Sequence, residues 1–109
     1  MSHFMLRWQF TDTSTRALVG LPQDRSGAAT ALLEGFGGKL HGSYRSFGDY
    51  DGVAICEFPD FTAAAACLMA AAATGAFARF QTTTLLAHEA EAAMQHAHDT
   101  RTGCQPPHA

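Results

Sequence analysis

A chain of 109 residues has room for one domain with one core and not for two. Its formal charge is −3 and its basic residues are scattered from Arg7 to Arg101, which excludes the clustered positive surface of a nucleic-acid binder. Charged residues make up only 16% of the chain, against about 25% in soluble domains, so self-association is expected to hide some apolar surface.

Phe4, Leu6, Trp8 and Phe10 alternate with Met5, Arg7 and Gln9, the period-two signature of a strand with one strongly apolar face. Met1-Ser2-His3-Phe4 runs directly into that pattern with no charged leader or cleavage site, so a cytoplasmic protein is expected. Thr11 to Thr15 reads as a polar turn, and Pro22 suits the first turn of a following helix. Ala29, Leu32, Leu33 and Phe36 give that helix an apolar stripe, and Gly37-Gly38 ends it.

Lys39 to Phe47 reads as a second strand, with Leu40, Gly42, Tyr44 and Ser46 on one face and His41, Ser43, Arg45 and Phe47 on the other. Gly48-Asp49-Tyr50-Asp51 follows as a tight bend, where glycine tolerates positive φ and aspartates bond the local backbone. Val53 to Phe58 is a nearly continuous apolar strand, expected to be central and covered on both faces. Asp60 is placed to cap an alanine-rich helix running to about Thr74, with Gly75 at its end. Phe61 to Ala78 carries no charge, but alanine is too weakly apolar to drive membrane insertion, so no membrane partner is expected. Arg79 to Leu86 alternates and is rich in threonine, as in a final strand. A last helix covers about Ala87 to His98, with Ala90, Ala93, Met94 and Ala97 as its buried stripe. Residues 1–99 are thus expected to form a single domain, and 100–109 a disordered, proline-bearing tail.

Strand, helix, strand, strand, helix, strand plus a terminal helix is an α+β order. Two split βαβ units make a ferredoxin-like βαββαβ sandwich with an antiparallel sheet and both main helices on one face. The other face would expose Val53 and Ile55 or Ala54, Cys56 and Phe58, according to register. A second copy covering it would complete a dimeric α/β barrel.

The Gly48 bend, the upstream Gly37-Gly38-Lys39, Tyr44 between them, and Glu57-Phe58-Pro59-Asp60 ahead of an alanine-rich helix resemble the GYD domain family. The resemblance runs from about Phe4 to Ala87, leaving the histidine-bearing end outside it. It implies a small, ferredoxin-like, self-associating bacterial domain and no particular activity. Kinship of fold with monooxygenases and isomerases is analogy alone.

Among groups that carry chemistry, Trp8, Tyr44 and Phe47 are expected to wall a pocket for a small organic molecule, with Asp49, Tyr50 and Asp51 at one rim. Asp51, half-buried there, is the candidate base for proton transfer; the competing reading is that these aspartates only fix the turn. His41 is a second candidate acid or base, and Arg7 or Arg45 an anion clamp, against the plainer reading of an exposed or interface histidine. His88, His96, His98, Cys104 and His108 lack a common helix face, so no metal site is assigned to them. Cys56 and Cys67 are expected as packing residues, and the odd cysteine count without CxxC spacing fits a reducing compartment. Gly35 to Gly38 ends a helix rather than opening one and lacks GK[ST], so it is not read as a phosphate loop. No cofactor fingerprint is present; the expected function is ligand binding with or without cofactor-independent proton transfer. A non-catalytic oligomerisation module is the alternative.

Overall fold

The computed structural model describes residues 1–22, 25–100 and 103. The tail with Cys104 and His108 and its expected disorder lie outside the described residues, save Thr100 and Gly103. Eight elements follow in order: β1 (Ser2–Phe10), α1 (Asp12–Gly20), α2 (Ser26–Gly35), β2 (Lys39–Arg45), β3 (Gly52–Phe58), α3 (Phe61–Ala72), β4 (Phe77–Leu85) and α4 (Glu89–Asp99). The strands form one four-stranded sheet in the order β2-β3-β1-β4, with every neighbouring pair antiparallel. This is the expected ferredoxin-like α+β sandwich. No described helix is long and apolar enough to cross a membrane.

Alternation in β1 sends Phe4 and Leu6 into the core, where they meet Ala54, Cys56 and Phe58 of β3, Leu33 of α2 and Ala64 and Cys67 of α3. Phe4 and Phe58 are fully buried and meet edge to face, each contributing about 1.5–3 kcal/mol of burial. β3 is central as expected, but only one of its faces is covered by helices. Ala54, Cys56 and Phe58 point inward while Val53, Ile55 and Glu57 stay half-buried on the other side.

Three expectations are corrected. Thr11 to Thr15 is not a turn: Thr11 caps α1 by accepting the Ser14 N–H, and its own N–H bonds Ala76 O at 3.0 Å. A cap and a long-range tether override the weak helix propensity of Thr and Ser. Pro22 stands in the connection ahead of α2, which starts at Ser26, rather than in its first turn. Finally, α4 has no buried residues; Ala93, Met94 and Ala97 face solvent in the single chain, and the radius of gyration is 17.8 Å, against about 13 Å for a compact chain of this length.

The punctuation read from sequence holds. Gly37 takes φ +75 and lets Gly38 N–H return to Leu33 O while its own N–H reaches Glu34 O, a Schellman ending to α2. Asp60 Oδ1 accepts the Ala63 N–H at 2.8 Å and caps α3. Gly48 adopts φ +120 in the β2–β3 connection.

Candidate functional site

The inner face of the sheet and the helices above it leave a cavity of about 590 Å³. Leu6, Trp8, Phe10 and Ala54 form its floor, α2 adds Leu32 and Leu33, α3 adds Leu68 and Ala71, and β4 adds Phe77 and Phe80. Polar groups are few: Ser14, Ser43, Thr74, and Arg25 and Arg45. The size and the mostly apolar wall suit a small organic ligand. Trp8 is seated by Gly52, its cross-strand partner; a Cβ on Gly52 would fall 2.3 Å from the indole Cζ2. The buried Trp8 Nε1 has no hydrogen-bond partner among the described residues.

Asp51 is held at the end of β1. Its N–H donates to Trp8 O at 2.8 Å, and its Oδ2 accepts the Phe10 N–H at 2.8 Å. The carboxylate therefore extends the β1–β3 ladder by one bond and fixes the strand on both sides of Gln9. It lines neither cavity.

A second recess, about 310 Å³, opens on the outer face and is lined by Arg7, Ser46, Phe47, Asp49, Tyr50 and Val53. Arg7 and Arg79 each lie 4.8 Å from the centre of the Tyr50 ring. Arg7 also donates to Gln81 Oε1 at 2.7 Å, and Arg79 to Asp49 O at 3.4 Å. Both guanidiniums thus engage the Tyr50 ring by cation–π attraction.

Further along the outer face His3, His41 and Glu57 converge. Glu57 stands opposite His3 in the β1–β3 ladder. The β2–β3 register shifts between Leu40 and Gly42, so His41 is an inserted residue whose ring swings beside His3, with centroids 5.8 Å apart and planes at 13°. His3 Nε2 lies 3.1 Å from Glu57 Oε1, and His41 Nε2 2.8 Å from Oε2. The hydrogen bond from His41 holds the Glu57 carboxyl below the usual range, with the charges of His3, His41 and Lys39 acting in the same direction and desolvation opposing them.

The residues expected in one pocket are thus divided. Trp8 and Arg45 line the inner cavity, which Tyr44 borders only from its place in β2, its ring lying beside Gly42 on the outer face; Arg7, Phe47, Asp49 and Tyr50 line the outer recess, and His41 belongs to the histidine cluster. Strict alternation in β2 would have kept Leu40 and Tyr44 on one face; the insertion at His41 breaks it, so Leu40 pairs with inward Cys56 and Tyr44 with outward Val53. Sequence reasoning did not single out His3, Glu57 or Arg79. The available signal was Glu57, the one charge in an otherwise apolar strand.

Residues 4–95 match the GYD domain. No curated protein matches the chain. Among solved structures, FFRP-DM1 is similar with a TM-score of 0.50 at 10% identity, over 79% of this chain and 100% of that one. A transcriptional regulator from Neisseria meningitidis, solved as its L-Met complex, gives 0.52 at 11% identity over 96% of this chain and 56% of that one. A NIPSNAP domain protein from Burkholderia xenovorans gives 0.49 at 13% identity, over 80% and 94% of the two chains. At such identities the likeness is one of fold.

Proposed function

The chain belongs to the GYD domain family, and we propose that it is a homodimeric binding module that holds a small, mostly apolar organic molecule between its sheet and helices. The observation that carries this reading is the 590 Å³ cavity walled by Trp8, Phe10, Leu32, Leu68 and Phe80. An apolar molecule displaces water from that wall. Arg25 and Arg45 also line the cavity and suit a ligand with an anionic end. The Neisseria regulator of the same fold was solved with L-Met; the ligand class assigned here rests on this chain's own cavity.

The reading is binding rather than turnover. Asp51, the expected base, is engaged by the Phe10 N–H outside both cavities, and His41 lies on the opposite face of the sheet from Trp8. Dimerisation is supported by the outer face, where among the described residues Met5, Val53 and Ile55 are only partly buried and Tyr44 is exposed, and by the unburied α4 with exposed Met94.

Trp8 is the only tryptophan, so its emission reports the cavity directly. Titrating an anilinonaphthalene sulfonate probe should quench Trp8 saturably in the wild type. Ala29→Phe, which fills the α2 wall, should abolish that quenching with the fold retained by circular dichroism. Equal quenching in both proteins would remove the cavity as the binding site. Native mass spectrometry of freshly purified protein should give a dimer; a monomer alone across micromolar concentrations would sink the dimeric part.

A further inference from the structure

The cluster on the outer face is built from backbone registers, and its donor set has no role in the cavity. We propose that His3, His41 and Glu57 bind a divalent first-row transition metal, with Zn²⁺ as the reference ion. Two imidazole nitrogens and one carboxylate oxygen are a borderline donor set that suits Zn²⁺, whereas Mg²⁺ and Ca²⁺ require oxygens.

The spacing is close to what the ion needs. Tetrahedral zinc with bonds of about 2.0–2.1 Å holds neighbouring ligand atoms about 3.3 Å apart. Here Nε2 of His3 and of His41 lie 3.1 Å and 2.8 Å from the two oxygens of Glu57, and all the ligating atoms fall within 4.8 Å of one another. Entry of the ion asks the carboxylate to step back from its two hydrogen-bond distances and each neutral ring to carry its proton on Nδ1, freeing the Nε2 lone pair.

The protein also fixes the set before any ion arrives. His3 and Glu57 are direct cross-strand partners, and the inserted residue at His41 re-aims that imidazole onto the same carboxylate. The three side chains are neither deeply buried nor free, with His41 the most open at 36%. Three ligands leave the fourth tetrahedral position to water. His3 Nδ1 has no hydrogen-bond partner among the described residues, and such outer support is worth about 10–100-fold in affinity, so the site is weaker than a structural zinc centre.

The test uses the full-length chain without a histidine tag, stripped with EDTA and titrated calorimetrically with ZnCl2, with MgCl2 as the control. One Zn²⁺ per chain is expected, with no response to Mg²⁺. Co²⁺ should give the visible absorption of a four-coordinate site. His41→Gln, a change at an exposed insertion, and His3→Ala should each weaken binding by at least about tenfold, while the paired His96→Ala and His98→Ala change leaves it intact. Circular dichroism confirms that each variant is folded. Absence of Zn²⁺ binding by the folded wild type overturns the proposal. So does binding that survives both His3→Ala and His41→Gln, or that disappears with His96 and His98. Neither result bears on the Trp8 cavity, which lies on the other face.

Discussion

Gly52→Ala tests how the sequence shapes the cavity, because one methyl group must displace the indole that floors it. The added Cβ would sit 2.3 Å from Trp8 Cζ2, 2.4 Å from Cε2 and 2.8 Å from Nε1. Carbon atoms in contact prefer about 3.5–4.0 Å, so the rigid ring must move by more than about 1 Å. Overpacking of this kind costs about 1–3 kcal/mol, and removing a glycine from a strand returns about 0.5–1 kcal/mol. The net loss lies between about 0 and 2.5 kcal/mol and centres on about 1 kcal/mol, which is a fall in Tm of about 4–8 °C for a domain of this size. Thermal melting by circular dichroism measures the loss, and Trp8 emission measures the displacement in the same sample. Gly48→Ala is the control. At φ +120 it strains the backbone but places no atom within 4 Å of its Cβ, so stability should fall while Trp8 emission stays put. Unchanged Tm and unchanged emission in Gly52→Ala would refute the claim that this glycine makes room for Trp8.

Two other predictions follow from bonds and burial. Asp51→Ala removes the acceptor of the part-buried Phe10 N–H and should cost about 1–3 kcal/mol in a denaturant melt, with Asp51→Asn recovering most of it through its amide oxygen; equal stability of wild type and Asp51→Ala would show that the clamp contributes nothing. Burial, aided by neighbouring Cys67, raises the Cys56 thiol from 9.0 to about 11, and burial also raises Cys67. Between pH 9 and 11 the unfolded chain has released protons that the folded chain retains, so stability is complete below pH 9 and falls by about 2–3 kcal/mol as pH rises to 11. In a Cys104→Ser background, a flat stability profile across that range, or rapid alkylation of the folded protein at pH 8, would contradict it.

What could be read from sequence was whatever local chemistry decides alone. Alternation in β1, the Asp60 cap, the left-handed Gly37 and the positive φ of Gly48 need only neighbouring residues, and each is where its chemistry puts it. Elements held by distant partners were not legible. Thr11 starts a helix because Ala76 receives its N–H across the fold. The pairing of His3 with Glu57 is set by the β1–β3 register, and nothing near either residue announces it. α4 carries the helical spacing of a buried stripe, yet within one chain nothing buries it. Its pattern is a statement about packing that a single copy does not satisfy.

The extra residue at His41 is where the two faces of the sheet acquire separate chemistry. Side chains alternate with a strict period of two, so without an insertion β2 would carry Leu40 and Tyr44 on the same side and turn His41 away from any side chain sharing Tyr44's face. With the insertion, Leu40 stays over the core while His41 and Tyr44 both serve the outer face, and Glu57 gains its second imidazole. Meanwhile β1 and β3 keep perfect alternation: Leu6, Trp8 and Ala54 floor the cavity, and His3 and Glu57 look outward. An edge strand tolerates such an irregularity because only one neighbour must adjust to it. Restoring regular pairing there would leave the apolar cavity on its floor of β1 and β3 but dismantle the histidine cluster, which separates the two sites in structural terms even though they share the same strands.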